Sequence, residues 1–279
     1  YINKPYGDVW KQMRELAYTV HPYKWMTIGK ELSHVENALI DDVKHFFFKH
    51  YRPINAILVV AGKVKTADIK QLAQKWFGPI PMGDKYIRCL PQEPVQDQAR
   101  RLTIEAAVPL DAFVKTWHMD ARLNKGYYTA DLITEILGGG ASSRLYQSLV
   151  KEQKLFSNLD CYHFGSLDAG LLTIEGKLVK GVDINKAEQA ISEQIALIQE
   201  QPVSIAELTK VKNKTESVIA FEDMSIMSRA SSLAMYELMG DASLMNTELE
   251  KYQEINPQDI VDYSKQIFRE SNSNTLHYL

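Results

Sequence analysis

The amino-acid sequence contains one pattern twice, at positions that differ by 217 residues. In each copy a predicted helix with an acid in its first turn ends in an aromatic–arginine pair, and a predicted strand beginning with asparagine follows it. A shared order of elements favours a duplicated domain over a chance match. The matched residues are Asp42-Val43-x-x-Phe46 with Tyr51-Arg52 and Asp259-Ile260-x-x-Tyr263 with Phe268-Arg269, and, after an insertion of two residues, Asn55-x-Ile57-x-Val59 and Asn274-x-Leu276-x-Tyr278.

A proline-rich segment separates the two copies. Residues 79–100 hold four prolines and no sustained hydrophobic period, which is typical of a linker. Lys and Arg outnumber Asp and Glu by six before residue 89, whereas the acids are in excess by nine from residue 89 onward, so the two parts differ in charge. The sequence predicts the closing half of a first domain over 1–78, a linker over 79–100 and a second domain over 101–279. We expect the opening half of the first domain to precede Tyr1.

Hydrophobic periodicity predicts an α+β fold. Apolar residues at helical spacing and alternating strand-like runs occur in both parts of the chain, so each predicted domain combines a sheet with helices. The predicted helices cover residues 9–20, 39–51, 66–77, 127–137, 143–153, 184–198, a long tract from 205, and 257–269; the predicted strands cover 55–62, 102–108, 113–119, 156–165, 170–179 and 274–279. We therefore expect two similar domains, each an antiparallel sheet packed against helices, with the first domain incomplete.

Composition excludes several classes of protein. A net charge of −3 gives no reason to expect a nucleic-acid partner. The longest strongly apolar stretch, Ala56–Ala61, is far shorter than the roughly 20 residues that cross a bilayer. Two cysteines, Cys89 and Cys161, cannot form a disulfide framework or a four-thiolate zinc site, and they leave the redox compartment open.

Known catalytic motifs are not found in the sequence. Neither His-Glu-x-x-His nor His-x-x-Glu-His occurs, and there is no Gly-x-Ser-x-Gly. Gly138-Gly139-Gly140 precedes a predicted helix, but no Gly-Lys-Ser/Thr follows it, which favours a tight turn between helices with positive φ over a phosphate loop. The sequence predicts no metal ligands and no catalytic residue in this chain. The residues alone indicate an α+β protein of unknown function.

Two further groups of residues leave alternatives open. Five of the nine methionines lie between Met224 and Met245, where they can belong to a core or to an adaptable partner or peptide surface. Lys210, Lys212 and Lys214 are too closely spaced to share one helical face, and we expect them to be solvated.

Several ordered phrases resemble the pitrilysin/insulinase family of zinc metallopeptidases. A glycine turn alone is a weak signal, but phrases that match in order across nearly the whole chain are specific. They are Asn3-Lys4-Pro5-Tyr6-Gly7, His21-Pro22-Tyr23-Lys24-Trp25-x-x-Ile28-Gly29, Phe48-x-x-x-Tyr51-Arg52-Pro53-x-Asn55-Ala56, Leu58-Val59-Val60-Ala61-Gly62, Phe77-Gly78-Pro79-Ile80-Pro81 and Leu137-Gly138-Gly139-Gly140-x-Ser142-Ser143-Arg144-Leu145-Tyr146.

The resemblance implies similar α+β domains that face each other across a peptide-holding chamber. It also implies zinc in the parent protein, held by the histidines of His-x-x-Glu-His and by a later glutamate, all upstream of Tyr1, with no zinc expected in this chain. The substrate implied is a peptide or unfolded polypeptide. The residues that the resemblance assigns to substrate binding are Gly139, Gly140, Ser142, Ser143, Arg144 and Tyr146.

One departure from the family pattern concerns partners. Many members carry an arginine and, seven residues later, a tyrosine that hold the substrate, and the matching positions here are Val150 and Ser157. The chain resembles the zinc-bearing half of a pair of subunits whose paralogous partner supplies those side chains, with a homodimer also considered. The alternative is a non-catalytic scaffold or inactive paralogue that pairs with an active peptidase. The sequence leaves the localisation unknown, and the bacterial periplasm or cell envelope is favoured over the cytoplasm.

Overall fold

The computed structural model describes residues 4–279, so Asn3, at the start of the first family phrase, lies outside the described residues. Most of the predicted strands are confirmed, as are the predicted helices except the one over 143–153, where the structure has a π-helix. The helices are α1 (Val9–Ala17), α2 (Leu32–Glu36), α3 (Ile40–His50), α4 (Thr66–Phe77), α5 (Lys125–Gly138), a π-helix (Tyr146–Glu152), α6 (Ile184–Glu200), α7 (Ile205–Glu222), α8 (Ile226–Leu238), α9 (Glu248–Gln253) and α10 (Pro257–Ile267). The strands are β1 (Arg100–Ile104), β2 (Ala112–Met119), β3 (Phe156–Phe164), β4 (Gly170–Leu178) and β5 (Ser273–Tyr278).

The five strands form one mixed sheet in the order β1-β5-β2-β4-β3. β1 pairs with β5 in parallel, and the other neighbouring pairs are antiparallel. All six residues of β5 are buried because the strand has neighbours on both sides, α1 packs against it, and Glu188 of α6 contacts its His277. β3 forms one edge of the sheet. This arrangement confirms the predicted α+β class, in which an antiparallel-rich sheet packs against helices.

Different helices pack against the two faces of the sheet. On one face, Val9 and Met13 of α1 pack against Val114, Leu276 and neighbouring apolar side chains. On the other face, α5 contacts β2 and β3, and α10 contacts β2 and packs against α5 and α6. Alternating strand residues therefore enter different apolar layers, which explains why β2 is almost wholly buried.

Two compact units are distinguished by their internal contacts. The first consists of residues 4–27, 91–214 and 250–279 and contains the sheet; the second consists of residues 28–90 and 215–249. In the second unit many large apolar side chains are exposed, among them Leu32, Val35 and Trp76 at 73%, 75% and 65%. The domain division at 1–78, 79–100 and 101–279 stays a prediction.

The internal repeat is confirmed in the helices and corrected in its alignment. α3 and α10 have matching bounds at the 217-residue offset, and in each the third residue, Asp42 or Asp259, accepts a hydrogen bond from the backbone N–H of the residue before the helix. Asn55 and Asn272 each donate from the side chain to the carbonyl five residues earlier, at 3.3 and 2.9 Å. Asn272, and not Asn274, is the counterpart of Asn55, so the predicted two-residue insertion was wrong.

The predicted strand over 55–62 is not formed. Residues Pro53–Asn55 make a 3₁₀ turn, and the chain then continues in extended conformation, with Ala56 at φ −113° and ψ 142°. No described strand pairs with residues 56–61, whereas β5, which follows the second copy of the repeat, has two neighbours. The apolar run gives the local conformation, but a strand also needs a hydrogen-bonded neighbour.

The Glu93 carboxylate binds the backbone of residues 19–21, the segment that follows α1. This carboxylate accepts hydrogen bonds of 2.6–3.0 Å from the backbone N–H groups of Thr19, Val20 and His21, and one from the Thr19 hydroxyl. Burial alone would raise the pKa of Glu93, but these hydrogen bonds outweigh it and lower the pKa from 4.5 to about 2.

We expect Glu93→Gln to reduce the free energy of unfolding at neutral pH by about 1 kcal/mol, a small figure because the carboxylate is partly exposed. A carboxylate with a lower pKa in the folded state stabilises that state above the unfolded pKa and loses this contribution as the pH falls towards the folded pKa. The parent–variant difference should therefore be complete above about pH 5 and shrink between about pH 4.5 and 2. Urea unfolding at several pH values measures it, and a pH-independent difference would contradict this account.

Candidate substrate-binding site

The glycine turn, residues 138–143, connects α5 to the π-helix. Gly140 has φ +100°, as predicted for this turn, whereas Gly139 has an ordinary φ of −71°. Gly138 meets a different requirement, because a Cβ on this residue would overlap the backbone nitrogen and Cβ of Cys161 in β3. Glycine therefore serves a left-handed conformation at one position and a close helix–strand approach at another.

Polar groups on both sides hold the glycine turn. The backbone N–H of Ser143 donates to the Gly140 carbonyl at 3.0 Å, while the buried Ser143 hydroxyl has no hydrogen-bond partner among the described residues. Lys210 on α7 donates to the exposed Ser142 hydroxyl at 3.1 Å, and Lys214, one turn later, contacts the Glu135 carboxylate and the Gly139 carbonyl. The expectation that these lysines are merely solvated was wrong, because residues four apart share a helical face.

Arg144 is held by a carboxylate. Its guanidinium donates two hydrogen bonds to the Glu207 carboxylate, at 3.0 Å and 2.7 Å, and both side chains are about three-quarters buried. Glu207 lies in the first turn of α7, and its own backbone N–H donates to the Ser204 hydroxyl at 3.1 Å. The planar two-point contact fixes the residues after the glycine turn against the start of α7.

The segment that follows winds as a π-helix rather than as the predicted α-helix. The N–H of Gln153 donates to the Ser148 carbonyl, five residues earlier, at 2.9 Å. Tyr146, at the start of the π-helix, is 38% exposed. Val150 lies in the same π-helix, and Ser157 lies on β3, where its hydroxyl donates to the Lys177 carbonyl at 3.0 Å. The structure thus places Gly139, Gly140, Ser142, Ser143, Arg144 and Tyr146 along one turn and the helix start that follows it.

The described residues do not provide a metal centre. Within residues 4–279 no three His, Cys, Asp or Glu side chains are grouped so that they could hold a metal ion. Several histidines have other contacts: His21 with Asp168, His163 with Asp131, and His277 with Glu188. Cys161 is buried, and burial raises the pKa of its thiol, so it is a poor nucleophile. The donor set needed for catalytic zinc is not met by these residues.

The fold and the site together define the class of protein. A mixed five-stranded sheet packed between α1 and a layer of helices, with an ordered glycine turn between α5 and the π-helix, is an α+β fold. The model of the family described as "Peptidase M16 inactive domain" matches residues 38–215, which is more than half of the chain. The chain belongs to the peptidase M16 family, and the resemblance to pitrilysin/insulinase peptidases is confirmed.

Relatives of known sequence carry protease names. The chain is 25% identical over 283 residues to the zinc protease PqqE of Helicobacter pylori, a match that covers 98% of this chain and 62% of the relative. It is 24% identical over 275 residues to an uncharacterized zinc protease, YmxG, of Bacillus subtilis, covering 97% of this chain and 65% of the relative. The chain therefore spans less than two thirds of the length of these relatives.

Solved structures share the fold. A protease from Helicobacter pylori superposes with a TM-score of 0.89 at 23% identity, covering all of this chain and 68% of that structure. The periplasmic protease PqqL from Escherichia coli superposes with a TM-score of 0.73 at 12% identity, covering 96% of this chain and 30% of that structure. No helix among the described residues is long and apolar enough to span a membrane.

Proposed function

We propose that this chain forms part of the peptide-holding chamber wall of a zinc-dependent metalloendopeptidase, with the zinc ligands in a part of the intact protein outside the chain. Membership of the M16 family and the zinc-protease names of its relatives support this function. Zinc bound there would polarise a water molecule and a peptide carbonyl. The residues described here would bind and position the polypeptide.

The open edge of β3 is the observation that carries the proposal. β3 is the last strand of the sheet on its side, and residues 153–155 connect it to the π-helix that follows the glycine turn. An extended peptide can add to such an edge through main-chain hydrogen bonds, which recognise a backbone irrespective of its sequence. That mode of binding suits a peptide or unfolded polypeptide substrate.

The residues of the glycine turn have different parts in this proposal. Gly139 and Gly140 would offer backbone groups, and the Ser142 hydroxyl and the exposed Tyr146 would offer side-chain contacts to the peptide. The Ser143 hydroxyl is buried without a partner, so it would act only if the turn opens. Arg144 is engaged by Glu207 and would position the turn rather than touch the peptide.

Subunit pairing follows from the positions of Val150 and Ser157. The Val150 side chain has no hydrogen-bond donor, and the Ser157 hydroxyl already donates to the Lys177 carbonyl, so we propose that a paralogous subunit supplies the arginine and tyrosine groups. A non-catalytic scaffold that pairs with an active peptidase is the second candidate, and the match to the family model described as an inactive domain supports it. We place the intact protein in the bacterial periplasm or envelope, as with the periplasmic relative of similar fold.

Co-expression tests whether a paralogous subunit supplies the missing arginine and tyrosine. The intact parent protein and its paralogue, purified separately and together, should cleave an unfolded polypeptide only as a pair, with at least a hundredfold difference in rate. A variant of the paralogue that lacks its arginine and tyrosine side chains, but still forms the pair, is the matched control and should abolish the gain. Full activity of the isolated parent protein would refute the proposed pairing.

A further inference from the structure

Two carboxylates face each other across the outer strands of the sheet without a cation between them. Asp160 on β3 is the direct partner of Glu175 on β4, so their side chains project from the same face. Neither carboxylate forms an ion pair with any residue in 4–279. Lys177, two residues along β4, lies over the Tyr6 ring at 4.6 Å instead. Directly opposed like charges destabilise a sheet, and here the Glu175 carboxylate accepts a hydrogen bond from the Tyr162 hydroxyl rather than pairing with a cation.

The edge next to these carboxylates is regular. A register shift between Phe156 and Asn158 marks an irregularity at the start of β3, and from Asn158 to Phe164 every residue pairs in sequence with β4. Asp160 and Phe164 are exposed. A peptide strand added there would lie about 4.8 Å from β3 and about 10 Å from β4, within reach of a lysine or arginine side chain for both carboxylates.

An aromatic pocket lies four residues further along the same edge. It has a volume of about 250 Å³ and is lined by Trp10, Tyr18, Tyr23 and Phe164, and by Arg14, whose guanidinium carbon lies 6.0 Å from the centre of the Phe164 ring. The Trp10 and Phe164 rings meet edge to face with centroids 4.6 Å apart. Because Tyr162 and Phe164 both contact Trp10, they project from the α1 face of the sheet, as does Asp160. The acidic pair and the pocket can therefore contact one added strand.

We propose that the β3 edge binds an extended basic peptide as an additional strand, with a lysine or arginine opposite Asp160 and an apolar side chain four residues away in the aromatic pocket. The spacing holds for either direction of the added strand because side chains alternate with a period of two. This inference rests on the proposed function, because it takes the bound peptide to be the substrate of a peptidase. It assigns the charge preference of the site to Asp160 and Glu175.

Peptide binding to the 279-residue chain tests the proposal without requiring catalysis. The probe is a fluorescently labelled, end-blocked peptide with one lysine, a leucine four residues away and uncharged strand-forming residues elsewhere; its partner has glutamate in place of the lysine. At low salt the lysine peptide should bind about tenfold more tightly by anisotropy, and the ratio should shrink as salt rises. A proline placed beside the lysine should weaken binding, because it removes a main-chain donor.

The decisive comparison uses two charge-matched double variants. Asp160→Asn with Glu175→Gln should bring the lysine-to-glutamate ratio close to one, while Glu193→Gln with Asp262→Asn, on exposed positions of α6 and α10, should preserve it. Thermal melting of each variant shows whether it is folded. A ratio unchanged in the first variant, equal binding of both peptides, or no binding of either would overturn the inference. Self-association of the first variant with an unaltered peptide preference would also overturn the inference. The two acids would then serve only to prevent the edge strand from pairing with another chain. The proposed function is tested separately, by cleavage of a polypeptide in the subunit pair.

Discussion

Replacing Glu188 with alanine should lower the free energy of unfolding by about 3–5 kcal/mol. The Glu188 carboxylate on α6 accepts hydrogen bonds from Arg101 at 2.9 and 2.6 Å, from Lys115 at 3.1 Å and from His277 at 3.2 Å. The Lys115 side chain is only 5% exposed, so removal of Glu188 leaves a buried ammonium with the more distant Glu270, at 3.4 Å. An uncompensated buried charge is costly, whereas the intact network is close to neutral in charge.

Urea unfolding of Glu188→Ala and of Glu193→Ala measures this effect. Glu193 lies on the same helix but is exposed, and its replacement should change the free energy of unfolding by less than about 0.5 kcal/mol. Burial would raise the pKa of Glu188, but His277, Arg101 and Lys115 lower it well below its ordinary 4.5. The contribution should therefore be complete above about pH 4.5 and be lost only in strong acid. A loss below about 1 kcal/mol would show that Lys115 finds another partner.

Gly138→Ala should destabilise the first unit by about 2–3 kcal/mol, through overpacking. The new Cβ would overlap the backbone of Cys161, which cannot move without disturbing the pairing of β3 with β4. Gly140→Ala is the matched control, because it meets no atom within 4 Å and is strained only by its φ of +100°. We expect it to cost about 1 kcal/mol. Thermal or urea unfolding ranks the two variants, and equal effects would contradict the close approach of α5 to β3.

Local sequence signals predicted most helices and strands, because a few neighbouring residues are enough to specify where such an element begins and which face it buries. The acid in the first turn of α3 and α10, and the apolar alternation in β2, follow directly from the sequence. The alignment of the repeat failed because residues 271–274 read Ser-Asn-Ser-Asn, and only the hydrogen bond from Asn272 to the Ile267 carbonyl decides between the two asparagines. The π-helix was predicted as an α-helix for a similar reason, since the spacing of side chains does not show which hydrogen-bond register the backbone adopts.

The features that could not be predicted from the sequence depend on contacts between residues far apart in the chain. Arg144 and Glu207 are 63 residues apart, and Lys214 and Glu135 are 79 apart, so no spacing rule could pair them. The run over 55–62 has the composition of a buried strand, but pairing depends on neighbouring strands that the run cannot encode. The glycine turn was found from the sequence because it is both local and part of a family phrase. The Asp160–Glu175 pair was missed because it depends on strand register.

Zinc content and peptide cleavage, measured side by side for this chain and for the intact parent protein with its partner subunit, test the central claim most directly. We expect the 279-residue chain to retain no stoichiometric zinc after dialysis, to keep its melting temperature in a chelator, and to cleave no peptide. The assembled parent protein should bind about one zinc per catalytic subunit and lose its activity in the chelator. One-to-one zinc binding and chelator-sensitive proteolysis by this chain alone would contradict the account.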